Sequence, residues 1–565
     1  MKQFAVAVAV VFATSAASAG AVLTPYHVVP QERPSSRAEQ VVRGPVDVGA
    51  RRSVLEVGMV DTVGGTTHDW QTNGPIYRLL VNSPEYGVHV AWMYSASTST
   101  SHPDRNMRYN FYDFSTREWN RIDTNFMLSG ISVFAERSGY GGLDADPGSG
   151  VAVVSGHLGY PLRIDVARDT APGAGIFEYC SGSPELEGYS YPALAVDSAG
   201  RMHVHCMEYP FAEDNFCTRC STWCNWTEPV AIYPPVPNAE YPDQNIAGSK
   251  VSDKVCVTWV YSRAGYHQHP GFYRISTDGG KTWGTPAQLD WPPAFSGDTL
   301  PSFHISSLFP FFDRNDELHI VAAVAPFLRD SNFIIPAEIW HWKPDTWDRI
   351  HRAECAPGNL QGLVGFNALY ACRPSIGEGE GGELYAAWEQ FDSSNYDPGT
   401  GLLRADIFTA RSTDSGATWQ TVQLTAGGNV SHRFPSVIDL SPTDTVTMGF
   451  PWVMYMVDQV AGFAQRGQGP VTRNPIVVQR PGHVGIEESG HEHASKPVPA
   501  VRSLVRHVLS LPGRMRAELL DISGRRVMDL EPGQNDVRHL APGVYFLRSA
   551  ESGRRMAVRK IVIQR

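Results

Sequence analysis

The sequence predicts an all-β fold, with a six- or seven-bladed β-propeller followed by a small β-sandwich, and three observations support this. First, residues 40–480 of the 565-residue chain show no long helical periodicity; short strands rich in Val, Ala, Tyr and Trp alternate with Gly- and Pro-containing turns. Second, a unit of similar pattern recurs along this region. Third, the net charge of the chain is −11, yet residues 501–565 contain 13 basic and 6 acidic residues. This change of sign predicts a separate C-terminal module.

The recurring unit is recognised by its second strand, which is found seven times. The last residues of successive copies are 51 to 66 residues apart. A unit of this size cannot bury both faces of its short strands alone, whereas radial stacking in a propeller does so. A linear array of sandwiches is the alternative, but it does not require so regular a unit. The copies are residues 88–92, 151–155, 202–206, 255–259, 318–322, 384–388 and 444–448.

The N-terminus predicts a secretory signal peptide at residues 1–19. Lys2 precedes an apolar run at residues 4–13, and Ala17-Ser18-Ala19 forms a small-x-small cleavage site before Gly20. The run is shorter than the roughly 20 residues that a membrane-spanning helix needs. A buried N-terminal helix is the alternative. We therefore expect a protein that is secreted or held at the cell surface, without a transmembrane segment.

The eight cysteines fit an exported chain, in which an even number favours disulfides. Cys355 and Cys372 flank a 16-residue stretch and are expected to close a surface loop. Cys217, Cys220 and Cys224 form a denser cluster downstream of His203-Val204-His205-Cys206. Thiolates and imidazoles at such spacing suit zinc. The preferred interpretation is one or two local disulfides plus a buried free thiol, with no metal and no cofactor.

Two units contain the pattern Ser-x-Asp-x-Gly-x-Thr-Trp, which begins at Ser276 and again at Ser412. The Asp carboxylate accepts backbone N–H groups within the turn, Gly tolerates a positive φ, and Trp buries a large ring. The pattern resembles the Asp box (BNR repeat) of sialidase-like propellers, where it is structural and lies at the blade periphery. We therefore assign structural roles to Ser276, Asp278, Gly280, Trp283, Ser412, Asp414, Gly416 and Trp419.

The C-terminal module, residues 504–565, follows a linker at residues 481–503 that contains His483, His491 and His493. Three strand-like motifs occur in order, at residues 520–527, 540–548 and 559–563. Their order and terminal position resemble the C-terminal sorting domain of type IX secretion substrates, an Ig-like sandwich. The resemblance implies passage across an outer membrane and contact with the secretion machinery. A carbohydrate-binding or spacer sandwich is the alternative.

The resemblance to sialidases also implies where chemistry would take place. Those enzymes bind a substrate carboxylate with three Arg, since guanidinium groups match carboxylates bidentately. They also use a Tyr nucleophile activated by a Glu, and an Asp acid. Their Arg-Ile-Pro motif does not occur here, and the nearest analogue is Tyr77-Arg78-Leu79-Leu80. Sialidase activity is therefore uncertain on sequence grounds.

The candidate site residues lie at the start of innermost strands or at the end of second strands. Arg373-Pro374 and Arg433-Phe434-Pro435 begin two units, and Tyr191-Pro192 and Tyr241-Pro242 begin two others. If these positions line the central opening, three arginines would form a site for a carboxylate, with tyrosines beside it. Asp69 is a further candidate acid. The candidate catalytic residues are Arg78, Arg373, Arg433, Tyr241, Glu208 and Glu389, with Tyr191 as a neighbour.

Three functions remain open from the sequence. The first, which we favour, is a propeller that binds an extracellular glycan or protein. The second is a glycoside hydrolase, which requires two carboxyl groups about 5–10 Å apart in one pocket. The third is a structural surface spacer. Nucleic acid is not expected as a partner, because residues 1–500 have a net charge of −18.

Overall fold

The structure is a computed structural model in which two compact units, residues 1–484 and 485–565, are distinguished. The described residues are 24–26, 58–481 and 504–563, apart from gaps at 73, 160–161, 181–185, 209–214, 233–238, 264–268, 296–301, 329–330, 354–363, 443–449, 506–507, 512–515, 522–524 and 550–556. The expected signal peptide and all but the first residue of the expected linker, with its three histidines, lie outside them. The described part contains no helix with the length and apolarity that a membrane crossing needs.

The larger unit contains seven antiparallel sheets, which we number as blades 1 to 7. From the innermost strand outward, the first four contain Leu80–Ser83, Gly87–Tyr94, Asn106–Asp113 and Glu118–Trp119 (blade 1); Leu143–Ala145, Ala152–Leu158, Arg163–Asp169 and Phe177–Tyr179 (blade 2); Tyr189–Val196, Met202–Glu208, Asn215–Cys220 and Val230–Ala231 (blade 3); and Ala239–Gly248, Val255–Arg263, Gly271–Ser276 and Ala287–Gln288 (blade 4). Two short strands, Ile131–Ser132 and Ser138–Gly139, add to blades 1 and 2.

The last three blades complete the ring. They contain Ser302–Phe312, Leu318–Leu328, Ala337–Lys343 and Thr346–Ala353 (blade 5, with Ser331–Ile335 and Thr24–Tyr26 beside them); Ala371–Glu378, Leu384–Tyr396, Leu403–Ser412 and Gln420–Gln423 (blade 6); and Ser431–Val437, Val453–Asp458, Asn474–Arg480 and Met59–Thr66 (blade 7). Short 3-10 helices are described at Phe126–Leu128 and Ala464–Arg466.

Blade 7 closes the ring, because its outermost strand comes from the N-terminal side of the chain. Met59–Thr66 pairs antiparallel with Asn474–Arg480. At the centre, Leu79 N donates to Ser436 Oγ over 2.9 Å, joining blade 1 to blade 7. Ser375 Oγ donates to Pro435 O over 3.2 Å, joining blade 6 to blade 7. The predicted all-β propeller is confirmed, and the described residues form seven blades.

One predicted strand was assigned to the wrong segment. The second strand of blade 7 was expected at residues 444–448, all of which fall in the gap at 443–449. The structure forms that strand from Val453–Asp458, which pairs with both neighbours in the sheet. The alternation of Thr and Val at 444–448 resembles a strand, but the buried run from Val453 to Met456 provides the core contacts.

Both Asp boxes form the same hydrogen-bonded turn between the third and fourth strands of their blades. In blade 6, Ser412 Oγ donates to Asp414 Oδ1 over 2.8 Å, and Thr418 Oγ1 donates to Asp414 Oδ2 over 2.6 Å. In blade 4 the bonds from Ser276 and Thr282 to Asp278 have equivalent lengths. The turns therefore stabilise blade edges, away from the innermost strands.

Gly416 of the second Asp box is expected to tolerate no side chain. Its φ is +86°, and an added Cβ would lie 2.1 Å from the ring of His341 in blade 5. We expect Gly416→Ala to lower the free energy of unfolding by about 2–4 kcal/mol, from the positive φ and from overpacking together. Urea unfolding followed by tryptophan fluorescence measures this change.

Gly382 is the matched control, because its φ is +83° but a Cβ there would meet nothing within 4 Å. Gly382→Ala should lose only the backbone contribution, about 1–2 kcal/mol. Equal losses in the two variants would show that the contact with His341 does not constrain the turn.

The cysteines form one disulfide among the described residues, between Cys180 and Cys224. The expected Cys355–Cys372 bridge is wrong, because Cys372 is a free buried thiol whose Sγ lies 3.2 Å from Glu389 Oε1. Cys355 lies outside the described residues. No group from the 203–224 segment brings three metal-ligand atoms together in the described part of the chain, and Cys206, Cys217 and Cys220 are buried free thiols.

In the C-terminal unit, the described residues form a five-stranded and a two-stranded sheet. Leu509 and Leu511 of the smaller sheet share one core with Leu519, Leu547 and Ile561 of the larger sheet. The two sheets therefore pack on each other. The strands are Leu504–Val505, Val508–Leu511, Ala517–Leu520, Arg526–Leu530, Gly533–Asp536, Gly543–Ser549 and Ala557–Ile563.

Candidate functional site at the centre of the propeller

The innermost strands of blades 3, 4, 6 and 7 are each interrupted by a bulge at the Pro-containing motifs noted in the sequence. The register shifts between Ser190 and Ala193 in blade 3, and the other three bulges occupy the corresponding position. Tyr191, Arg373 and Phe434 have positive φ angles of 53°, 53° and 59°. Bulges bend a strand and redirect its side chains, so these residues are displaced from the regular alternation of the strand.

A pocket lies at this end of the innermost strands. The space between its walls that no atom occupies is about 250 Å³, a value that includes open solvent at its mouth. Its walls come from the segment before blade 1, the loop before blade 2 and the bulges of blades 3 and 4. The lining residues are Thr72, Gly74, Pro75, Tyr77, Tyr140, Tyr191, Met207, Asp243 and Gln244.

Hydrogen bonds to the bulge of blade 3 hold one wall of the pocket. Tyr77 Oη donates to Tyr191 O over 3.3 Å, and Gln244 Nε2 donates to the same oxygen over 2.8 Å. Burial, and then the charge of Asp243, raise the pKa of Tyr77 well above its ordinary value. Tyr77 therefore stays a neutral phenol, and the carbonyl of Tyr191 is fixed by two donors.

A second wall is formed by Tyr140, which stands in front of a buried basic group. The Tyr140 and Tyr191 rings meet edge to face at 5.5 Å. The guanidinium of Arg105 lies 4.7 Å from the centre of the Tyr140 ring, and its Nη2 is 3.1 Å from His157 Nε2. Because a guanidinium only donates, His157 Nε2 must accept, and the imidazole is neutral.

The electrostatics agree with a neutral His157. Burial first, and then Arg105 and Arg137, hold the pKa of His157 well below its usual range. His68, on the other side of Tyr140, is shifted in the same direction by burial and by Arg105. The pocket is therefore backed by two neutral imidazoles and one permanent positive charge.

Three of the predicted site residues meet, but they bind one another. Glu389 is fully buried within the second strand of blade 6. It accepts hydrogen bonds from Arg373 Nη1 and from Arg433 Nε, the latter over 3.1 Å. Phe434 N donates to the same carboxylate over 2.8 Å. The arginine group expected to bind a substrate carboxylate is not formed, because this internal carboxylate occupies both guanidinium groups.

The remaining predicted residues make other contacts. Arg78 donates to the carbonyls of Val437 and Ile376 over 3.1 and 2.9 Å, so it joins blades instead of facing a ligand. Glu208 is exposed at the end of its strand. Tyr241 lies in the innermost strand of blade 4, but its side chain is outside the described residues. Asp69 is buried and accepts from Ala464 N over 2.7 Å.

Sequence reasoning missed most of the pocket. Arg105, Tyr140 and His157 come from three separate segments, and none belongs to a repeated motif. His157 had a usable signal, because it lies at the end of a second strand, as Glu208 does. Asp243 and Gln244 directly follow the Tyr241-Pro242 motif that the sequence had singled out, and Tyr191 was named there as a neighbour.

The sequence matches no protein-family model and no curated protein. Similar solved structures include an ulvan lyase of polysaccharide lyase family PL25, with 10% identity over 74% of this chain and 96% of that chain and a TM-score of 0.44. A GH93 arabinofuranosidase of Fusarium graminearum has 12% identity over 75% and 97%, with a TM-score of 0.34. The Hadza microbial sialidase Hz136 has 12% identity over 66% and 73%, with a TM-score of 0.33. At these TM-scores the similarities do not decide the function of this chain.

Proposed function

We propose that this chain is an exported propeller that binds a glycan in its central pocket. The observation that supports this most directly is the grouping of Tyr77, Tyr140 and Tyr191 with Asp243 and Gln244 in one pocket. Tyrosine rings present an apolar face and a polar tip, which suits the C–H faces and hydroxyls of a sugar. Amide and carboxylate groups fix orientation through hydrogen bonds. A structural spacer requires no such pocket.

The arrangement of carboxylates favours binding over glycoside hydrolysis. A hydrolase requires two carboxyl groups about 5–10 Å apart around the scissile bond. Among the described lining residues, Asp243 is the only carboxylate. Glu389 is enclosed by two arginines and is not part of the lining. A conventional pair of catalytic carboxylates is therefore absent from the described walls of the pocket.

Replacing Tyr140 with alanine is expected to weaken glycan binding roughly tenfold, which corresponds to about 1.4 kcal/mol. The ring is 9% exposed and supplies one wall of the pocket. Calorimetric titration with an oligosaccharide chosen from a glycan array measures the affinity, and the unfolding midpoint shows that the variant is folded.

Tyr86 provides the control for this experiment. It is 42% exposed and lies in the turn at the other end of the innermost strand of blade 1. Tyr86→Ala should keep the wild-type affinity. Equal affinities of the two variants would exclude the pocket as the glycan site, and absence of binding across the array would exclude glycan binding itself.

The group formed by Arg105, His157, Tyr140 and Tyr191 favours a second candidate function, elimination within a uronate-containing glycan. In that reaction a base removes the proton beside the carboxylate, a C=C bond forms, the C–O bond to the leaving sugar breaks and its oxygen takes up a proton. A tyrosine supplies the proton transfers, and Arg105 supplies positive charge. Ultraviolet absorbance of the new double bond, lost in Tyr191→Phe, distinguishes this reaction from binding alone.

The export part of the proposal rests on residues 1–19 and on the order of motifs in residues 504–565. Mass spectrometry of protein released by the producing cell should find Gly20 as the first residue. Full-length protein confined to the periplasm would contradict sorting by the C-terminal unit.

A further inference from the structure

Blades 3 and 5 use the same turn between their innermost and second strands. In blade 3, Asp197 Oδ1 accepts from Ala199 N and Arg201 N over 3.0 and 3.1 Å. In blade 5, Asp313 Oδ1 accepts from Asn315 N and Glu317 N over 2.9 and 2.8 Å. Both turns place a buried histidine six residues after the aspartate. The two turns can therefore be compared position by position.

The charge at one equivalent position is reversed. In blade 3, Arg201 Nε lies 2.7 Å from Asp197 Oδ2, and His203 Nε2 lies 2.9 Å from the same oxygen. In blade 5 the position of Arg201 is taken by Glu317. The three side chains of the blade 3 turn thus compensate one another, whereas the blade 5 turn sets two carboxylates beside one imidazole.

The histidine of blade 5 does not make the hydrogen bond that its counterpart in blade 3 makes to the aspartate. His319 is completely buried, and its Nε2 has no hydrogen-bond partner within the described part of the chain. This nitrogen faces Asp313 Oδ2 at 3.7 Å, which is too long for a hydrogen bond. One ligand atom from each of Asp313, Glu317 and His319 lies within 4.8 Å of the others. A buried, unpartnered nitrogen therefore points at two carboxylates.

The cations near this turn are engaged elsewhere. Arg314 pairs with Glu378 at 3.4 Å and donates to the carbonyls of Gly379 and Glu380. Lys254 pairs with Asp316 at 2.8 Å. Neither contacts Asp313 or Glu317 in the bonds that the structure describes, so the negative charge of the turn is not balanced in the way that Arg201 balances it in blade 3.

The geometry points to a divalent transition-metal site formed by Asp313, Glu317 and His319. One imidazole nitrogen and two carboxylate oxygens are a ligand set that Zn²⁺ accepts, with water completing the coordination. A metal-bound histidine usually donates its other ring N–H to an acceptor. His341 Nε2 lies 2.9 Å from His319 Nδ1 and is placed to accept it. The site is at the opposite end of the innermost strands from the central pocket, so it is independent of the proposed function.

Zinc titration of the full chain after chelator treatment tests the site, and Glu317→Arg is the decisive variant. Glu317 is exposed, so its replacement does not disturb the core, and arginine recreates the turn of blade 3. We expect wild-type protein to bind one more equivalent of Zn²⁺ than Glu317→Arg, with at least a tenfold difference in affinity at this site. Asp345→Asn, an exposed acidic residue in another turn of blade 5, should titrate like the wild type.

Other groups that bind zinc, such as free cysteines and the histidines of residues 481–503, are present in both the wild type and Glu317→Arg. Their contribution therefore cancels when the zinc binding of the two proteins is subtracted. Zn²⁺ should also raise the unfolding temperature of the wild type more than that of Glu317→Arg. Equal stoichiometry and affinity in the wild type and Glu317→Arg, or no zinc binding by the wild type, would overturn the site.

Discussion

Replacing Glu389 with glutamine is expected to lower the free energy of unfolding of the propeller by about 3–5 kcal/mol, because it leaves two buried guanidinium groups without a counter-charge. Arg373 and Arg433 have side chains that are only 2% exposed, and both bind this carboxylate. Glutamine preserves the shape and removes the charge. Urea unfolding at neutral pH measures the loss.

The stability lost in Glu389→Gln should become smaller as the pH falls. Burial would raise the pKa of Glu389, but Arg433 and Arg373 outweigh it and hold the pKa at about 2. A carboxylate with a depressed pKa stabilises the folded state above its unfolded pKa of about 4.3, and this contribution disappears as the pH falls towards 2. The difference between wild type and Glu389→Gln should therefore be constant above pH 5 and shrink in acid.

Glu383 is the matched control, since it directly precedes the strand that contains Glu389 and is also buried. Its partner Arg411 lies at 3.5 Å and is 29% exposed, so solvent takes over part of the lost interaction. Glu383→Gln should cost about 1 kcal/mol. A loss in Glu389→Gln no larger than this would mean that the two arginines are solvated or paired elsewhere.

The repeat predicted the propeller because each blade depends on local signals. The second strands and the Asp-box turns of Asp278 and Asp414 are contiguous in sequence, and their side chains bond within a few residues. The blade count was left between six and seven. Closure by Met59–Thr66 depends on a pairing with a strand more than 400 residues away, which no local pattern reports.

The site was less predictable for a related reason. Arg373, Arg433 and Glu389 were all named as candidates from the sequence, but residue type alone does not say whether an arginine faces a ligand or an internal carboxylate. The structure shows the latter. Arg105 and His157 are 52 residues apart in the sequence, and the arrangement of the blades around the propeller axis brings them together behind Tyr140.

A second large change in the free energy of unfolding is expected from two buried aspartates next to Arg433. Asp69 is 2% exposed and Asp458 is completely buried. Asp69 Oδ1 and Asp458 Oδ2 have no hydrogen-bond partner in the described part of the chain. Burial raises the pKa of Asp69 to about 7. Burial first, and then the charge of Asp69, raise the pKa of Asp458 well above its ordinary value against the opposing effect of Arg433.

A raised carboxyl pKa lowers stability as the pH increases, since the folded state binds a proton that the unfolded state releases above a pH of about 4. The pair should therefore destabilise the propeller progressively from pH 5 to pH 8. Asp458→Asn removes one of the two charges, and we expect it to be more stable than the wild type at pH 8 by on the order of 2 kcal/mol. The advantage should diminish towards pH 5.

The measurement is the difference between the unfolding free energies of the wild type and Asp458→Asn across pH 5–8. The wild-type curve by itself is not sufficient, because buried histidines change its stability with pH in the opposite direction. His68 and His157 have pKa values held low, so they favour the folded state as the pH rises. These contributions cancel in the difference. Asp144→Asn, which removes a buried carboxylate paired with Lys250 at 2.8 Å, should be less stable than the wild type, in contrast to Asp458→Asn. A difference between wild type and Asp458→Asn that stays flat with pH would show that Asp458 is ionised in the folded protein and that Arg433 balances its charge.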